Sequence, residues 1–289
     1  MRPTSKLKDI MAKRAATIVP GAANAMFARA VADLGFEAVY VTGAGIANME
    51  LGVPDIGLTT MTEVADIVAR MASAVSIPII VDADTGFGDP LNVTRTVRTF
   101  ERAGAAGIQI EDQVFPKKCG HFAGKDVIPV GEMLDKIRAA VDARQDSDLQ
   151  IIARTDARAV EGLDRAIDRA RAFVEAGADA TFVEAPVSLE ELARIPRDVR
   201  CPQFANMVFG GKTPDPGRAK LADMGFSIVL YANAVLQAAL KASHDVLQAL
   251  KNDGTLTSVQ DRLASFDERQ KAVGKPEWDA LEARYRTES

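Results

Sequence analysis

Thr99-Phe100-Glu101-Arg102-Ala103-Gly104, followed at once by Ala105-Ala106-Gly107-Ile108-Gln109-Ile110-Glu111, reads as the end of a helix, a glycine stop and a buried strand. Upstream, Val93, Val97 and Phe100 fall at i, i+4 and i+7 on one face while the arginines point elsewhere, so a helix is expected from Asn92 to Ala103. Glycine suits the stop because a helix C-terminus commonly needs a left-handed residue. The apolar run that follows suits a strand covered on both faces.

The unit recurs. Ala32-Asp33-Leu34-Gly35-Phe36 precedes Glu37-Ala38-Val39-Tyr40-Val41, Glu175-Ala176-Gly177-Ala178-Asp179 precedes Ala180-Thr181-Phe182-Val183-Glu184, and Ala222-Asp223-Met224-Gly225-Phe226 precedes Ser227-Ile228-Val229-Leu230-Tyr231. Counting all such runs predicts eight strands, at about 16–20, 37–42, 78–82, 106–111, 149–154, 180–184, 202–206 and 226–231, with helical patterns between them. Eight alternating units favour a closed (β/α)8 barrel, an α/β fold, over an open doubly wound sheet. Residues 1–289 are expected to form one barrel domain, with 234–289 as a C-terminal helical extension. The aromatics Phe266, Trp278 and Tyr285 of that extension need a surface, on the barrel or on a partner subunit.

Composition narrows the function. Of the 289 residues, 47% are hydrophobic and 26% charged, which suits a soluble globular chain with a sizeable core. The 35 basic and 40 acidic residues are spread along the chain, which argues against nucleic acid as a partner. No apolar run approaches the roughly 20 residues of a membrane span, and Met1 to Arg14 lack a secretory apolar stretch, so a cytoplasmic location is expected. In a reducing compartment Cys119 and Cys201 are not expected to form a disulfide.

In such a barrel the strand C-termini converge on one mouth. The predicted strands end in Gly21; Tyr40, Thr42 and Gly43; Asp82 and Asp84; Glu111 and Asp112; Arg154 and Asp156; Glu184; Asn206; and Tyr231. Asp82 and Asp84, two residues apart, share a face if the strand still runs there, and Glu111 ends the next strand. Three converging carboxylates call for a cation. An all-oxygen set suits Mg²⁺, or Mn²⁺, rather than zinc. Arg154 offers a planar fork for a carboxylate or phosphate, and glutamates beside it would still leave it an open edge. Backbone amides of Thr42, Gly43 and Ala44 offer further donors to a carboxylate.

From Asp112 to Val130 the chain shows little periodicity, as in a functional lid. It holds Cys119 close to Lys117, Lys118 and His121, a cationic setting that lowers a thiol pKa and permits proton transfer, and Gly120 and Gly124 would let it bend. Two other signals fail. Gly210-Gly211-Lys212-Thr213 lacks the earlier glycine of a P-loop, since Asn206 stands there, and Gly43-Ala44-Gly45 lacks the third glycine of a dinucleotide fingerprint. Neither ATP nor NAD is expected. His244, in a helical pattern, and Cys201, before a proline, read as structural.

Tyr40-Val41-Thr42-Gly43-Ala44-Gly45, Asp82-Ala83-Asp84-Thr85-Gly86-Phe87-Gly88, Ile110-Glu111-Asp112-Gln113 and above all Lys117-Lys118-Cys119-Gly120-His121 resemble the isocitrate lyase and phosphoenolpyruvate mutase superfamily over almost the whole chain. The Lys-Lys-Cys-Gly-His run marks the lyase branch. The resemblance implies Mg²⁺ on Asp82, Asp84 and Glu111, directly or through water. It implies a substrate shell of Thr42, Gly43, Ala44, Asp55, Lys117, Gly120, Arg154, Glu184 and Asn206, and a catalytic group of Cys119, Tyr40, Arg154 and His121. Cys119 would protonate the departing carbanion, and Tyr40 is one candidate to deprotonate the 2-hydroxyl.

The chain lacks the insertions of isocitrate lyases, and Asn206-Met207-Val208-Phe209-Gly210 departs from the methylisocitrate lyase pattern. A Val208 contact would disfavour an extra substrate carboxylate. The resemblance therefore implies cleavage of a small 2-hydroxy diacid, a 2-alkylmalate such as 2,3-dimethylmalate, to pyruvate or a related 2-oxo acid plus a carboxylic acid. Methylisocitrate cleavage, oxaloacetate hydrolysis or decarboxylation, and phosphonomutase chemistry are the alternatives. It also implies a homotetramer, a dimer of dimers that exchange C-terminal helices.

Overall fold

The computed structural model describes every residue except Cys119, 121–123 and 287–289, so the expectations for Cys119 and His121 lie outside the described residues. The chain divides into two compact units, Met1–Val235 and Leu236–Ser289.

The first unit is a closed barrel of eight strands in chain order: β1 (Thr17–Ala22), β2 (Val39–Val41), β3 (Ile79–Asp82), β4 (Gly107–Glu111), β5 (Gln150–Thr155), β6 (Ala180–Val183), β7 (Gln203–Asn206) and β8 (Ile228–Tyr231). Each pairs with its neighbour in parallel, and β8 returns to β1. Every expected run holds one strand. β2 begins two residues late, because Glu37 is exposed and faces Lys13 at 3.5 Å instead of entering the sheet.

The helix Pro90–Ala103 buries Val93, Val97 and Phe100 as its spacing requires. Asp89 caps it by accepting from the amides of Leu91 and Asn92, and Gly104 ends it in the left-handed conformation. Burying a side chain such as Phe100 contributes about 2–3 kcal/mol.

What fixes the site at one end of the barrel is a plug at the other. The helix Pro3–Ala12 places Leu7, Ile10 and Met11 in one apolar cluster with Val19, Ile80, Ile152, Phe182 and Phe204 from inside the barrel. A Cβ on Gly107 would lie 2.8 Å from Leu7 Cδ2, so the plug reaches the start of β4. With the floor closed, the strand C-termini form the remaining opening.

In the second unit the helices Phe266–Ala272 and Lys275–Tyr285 follow the remainder of Ala234–Asp253. Phe266, Trp278 and Tyr285 are exposed in the single chain.

Candidate active site

At the strand C-termini a cleft is lined by Tyr40, Thr42, Ala44, Asp55, Asp82, Glu111, Lys117, Gly120, Arg154, Glu184 and Asn206, all expected there, together with Lys118, Phe182, Val208, Leu230, Ala232 and Asn233. Of the expected strand-end residues, Asp112 and Asp156 are buried behind Arg154 and serve as braces. Tyr231 leaves the site: its hydroxyl donates to Asp215 at 2.8 Å.

Asp82 and Asp84 converge for a different reason from strand alternation. β3 ends at Asp82, and Asp84 turns back with φ of 46°, its amide donating to Asp82 Oδ1 at 3.1 Å. A Cβ on Gly43 would lie 3.2 Å from Asp82 Oδ2 and 3.3 Å from Asp84 Oδ1, so both carboxylates are carried against the Gly43 backbone.

The cation among them is Lys117. Its Nζ contacts Asp55 Oδ1 and stands 2.6 Å from Asp84 Oδ1. Burial works against its charge, but Asp84, Glu111, Asp82 and Asp55 outweigh burial and hold it above the usual lysine range. Asp84 is pushed up to about 6, chiefly by burial and despite Lys117. Glu111 is raised well above the carboxylate range, again by burial. Consequently, among the described residues no three acidic, histidine or cysteine side chains close on one point as a ligand set. The donors nevertheless fit magnesium. They are all oxygens, Glu111 Oε1 is buried without a hydrogen-bond partner among the described residues, and Mg²⁺ takes one or two carboxylates and keeps its waters.

Arg154 is held from three sides. Its Nε donates to Asp156 at 2.9 Å and lies 3.3 Å from Glu111, its Nη2 donates to Asp156 at 3.2 Å, and its guanidinium lies 5.2 Å from the Phe182 ring centre. The Nη1 edge makes no hydrogen bond or ion pair to a described residue and is left for an anion. Asp156 is buried, but Arg154 and Lys125 keep its carboxyl below the usual range. Asp112 accepts from Thr155, from the Asp156 amide and from Arg169, fixing the loop that carries Asp156.

The backbone cradle needs one correction. The Thr42 amide bonds Ala22 O at 3.4 Å, so it is spent in the barrel, and the Thr42 hydroxyl instead caps the helix Gly43–Met49 and reaches Asn233 at 3.4 Å. Gly43 and Ala44, as the first two helical residues, have no intrahelical acceptor for their amides. Tyr40 donates to Gln109 Oε1 at 3.0 Å, and Gln109 Nε2 donates to Asp82 Oδ1 at 3.3 Å. Burial, with Asp82, raises the Tyr40 phenol far above its normal pKa, so as placed here it is a neutral hydroxyl rather than a base.

The lid seats on this floor. Gln113 and Lys118 bond each other twice, Lys125 reaches Asp156 at 2.5 Å and also Gly120 O, and a Cβ on Gly120 would lie 2.4 Å from Arg154 Nη2. The space left inside is about 40 Å³, room for about three waters.

Residues that sequence reasoning missed here are Gln109, Phe182, Lys125 and Asn233. Gln109 was findable, standing two residues before Glu111 on β4 and so on the same face. Phe182 is two before Glu184 on the same pattern. Lys125 and Asn233 lie in loops, where no periodicity marks them.

A plugged barrel with a buried acidic mouth, one anchored arginine and a seated lid defines an enzyme that acts on a small anion. The family model described as phosphoenolpyruvate phosphomutase matches residues 7–251. The chain is 44% identical over 287 residues to the 2,3-dimethylmalate lyase of Eubacterium barkeri, covering 99% of both. It is 45% identical over 282 residues to the 2-methylisocitrate lyase of Aeropyrum pernix, covering 98% of this chain and 91% of the relative. A crystal structure of 2,3-dimethylmalate lyase superposes with a TM-score of 0.92 at 34% identity, covering 98% of this chain and 95% of that one. The chain belongs to the phosphoenolpyruvate mutase and isocitrate lyase superfamily, and it is a carbon–carbon lyase.

Proposed function

We propose that the chain cleaves a 2-alkylmalate, 2,3-dimethylmalate or a near analogue, to pyruvate or a related 2-oxo acid plus a carboxylic acid. The observation that carries this reading is the divided cleft. One side is charged, with Arg154, Asp82 and Glu111, and the other offers Val208, Leu230 and Ala232, which suit small alkyl substituents and disfavour a third carboxylate beside Val208.

Asp82 and Asp84 would hold Mg²⁺, with Glu111 acting directly or through water; the ion would supply positive charge to the oxygens of the 2-hydroxy acid. Arg154 Nη1 takes a carboxylate, and the Gly43 and Ala44 amides take the other anionic end. Tyr40, neutral and aimed by Gln109, orients the 2-hydroxyl oxygen. Once a base takes the 2-hydroxyl proton, the oxygen's electron pair forms the C=O of the 2-oxo acid as the C2–C3 bond breaks, its electrons pass to the departing acid, and that carbanion accepts a proton from Cys119, with His121 two residues on in the sequence as a further catalytic group. Glu184 and Asn206 complete the shell, and Lys117 and Gly120 seal it from water.

The protein is read as a cytoplasmic homotetramer without nucleic-acid or membrane partners, in which residues 234–289 extend a single barrel domain and are exchanged between subunits. Exposure of Phe266, Trp278 and Tyr285 in the single chain supports that exchange.

The test is a panel of 2-alkylmalates, methylisocitrate, isocitrate, oxaloacetate and phosphonopyruvate with Mg²⁺, assayed for 2-oxo acid or oxalate release beside an EDTA control and Cys119→Ser. Metal-dependent pyruvate release from one alkylmalate, lost in the variant, is expected. Preferential turnover of any other member overturns the substrate assignment.

A further inference from the structure

Outside the barrel mouth lies a second and larger cavity, of about 650 Å³, within the range of small-molecule sites. Its walls come from residues 57–62, residues 85–88, the base of the lid at Gln113 and Phe115, and the side chains of Arg95, Ile128 and Lys136. Met61, Phe87, Phe115 and Ile128 make much of it apolar. Among the described residues two charged side chains line it, Arg95 and Lys136, both positive, and no carboxylate does.

Lys136 is the unusual member. It is 9% exposed, and its ammonium donates to Thr85 O at 2.9 Å. No described carboxylate comes within 4.0 Å of its ammonium, and Glu132 and Asp89 act on it from further away. Burial pulls its pKa below the usual lysine value. An ammonium has three donors and prefers a nearby anion when it leaves water. Arg95, exposed at the rim, likewise has no ion pair to a described residue.

We propose that this cavity binds a small amphiphilic monocarboxylate, its carboxylate on Lys136 with Arg95 at the rim and its alkyl or aryl body among Met61, Phe87, Phe115 and Ile128. A neutral apolar ligand leaves Lys136 without a nearby anion, and an inorganic anion leaves the apolar wall uncovered. The site adjoins the reaction machinery without sharing its residues: Gln113 holds Lys118 of the lid, and Thr59 lies 3.5 Å from Asp84. Occupancy therefore presses on the base of the lid, whichever diacid the mouth cleaves.

The experiment titrates the full-length protein with hexanoate, with hexanol and potassium chloride at matched ionic strength as controls, following heat release. It is repeated on Lys136→Met, which keeps the aliphatic stem, and on Thr62→Trp, which fills the cavity from an exposed helix position. Saturable hexanoate binding is expected, weakened about tenfold by Lys136→Met and abolished by Thr62→Trp, with hexanol weaker than hexanoate. Absence of saturable binding, equal binding of hexanol, or unchanged affinity in both variants overturns the proposal. So does dissociation of an oligomer by Thr62→Trp when the parent protein binds no hexanoate, because the cavity is then a contact between copies. Should Lys136→Met not fold, Arg95→Leu beside Thr62→Trp carries the same comparison.

Discussion

The Lys117 ammonium stands 2.6 Å from Asp84 Oδ1 and also contacts Asp55, so a lid residue supplies the counter-charge for the acids at the mouth. Replacing it by methionine leaves two acids without their cation in a low-dielectric site. Breaking a buried pair in this way costs about 3–5 kcal/mol. Urea unfolding of Lys117→Met in EDTA should show a loss of that order, and Mg²⁺ should restore more stability to the variant than to the parent. Equal Mg²⁺ gains in both proteins would mean that Lys117 and the metal do not answer to the same carboxylates.

The same burial sets a pH dependence. Asp84 and Asp112 are each pushed up to about 6 in the fold, from 3.8 for a free aspartate, first of all by burial. Between those values these two carboxyls hold more protons in the folded protein than in the unfolded chain, so their contribution to stability in EDTA should fall as pH rises from about 4 to 6 and level off above that. The effect is on the order of 3 kcal/mol at each carboxyl. Mg²⁺ needs the ionised form, so its affinity should drop as pH falls through about 6. Unfolding curves of the parent and of Asp112→Asn, with Mg²⁺ titrations, across pH 4–8 measure both; a stability difference between the two proteins that does not change with pH over this window contradicts the assignment.

The glycine-to-strand echoes made the barrel readable because each helix stop needs a left-handed residue and each following strand is buried on both faces. Closure then forced the strand ends together, and for that reason Thr42, Asp82, Glu111, Arg154, Glu184 and Asn206 could be assembled without contacts. The plug was less visible, although Leu7, Ile10 and Met11 already show helical spacing after Pro3. What the sequence concealed were relationships set by irregular backbone: Lys117 folded in among the acids, the Thr42 amide spent on Ala22, Lys125 on Asp156, and the Lys136 cavity built from several separate segments.

Asp156 holds Arg154 through both Nε and Nη2. Asparagine in its place keeps the shape but removes the charge that fixes the guanidinium, which then turns toward Glu111. Asp156→Asn should raise KM by about 10- to 100-fold, in line with the 1.5–3 kcal/mol of a hydrogen bond to a charged group, with a smaller effect on kcat. Steady-state kinetics separates the two, and an unchanged KM would show that Arg154 does not bind the ground-state substrate.

Leu7 is fully buried in the plug, at the end of the barrel opposite the mouth. Leu7→Ala should cost about 2–5 kcal/mol of stability while KM stays within twofold, since the floor loses packing but the mouth keeps its atoms. A matching KM shift would mean that the two ends are mechanically linked.

Gly120 passes so close to the floor that an added Cβ would lie 2.4 Å from Arg154 Nη2 and 2.7 Å from Glu184 Oε1. Neither neighbour yields easily. Arg154 is pinned by Asp156 and Glu111, and Glu184 is buried. The requirement is for close approach rather than for backbone freedom, because Gly120 is not among the glycines with positive φ. Gly120→Ala therefore leaves the barrel intact and raises the energy of the seated lid alone. Stability should change little, because the lid can lift off the floor and relieve the contact, while kcat/KM falls about 100-fold. Substrate-protected proteolysis of the lid supplies the independent readout: protection by substrate should be lost in Gly120→Ala, and protection equal to that of the parent would show that the lid closes without this contact.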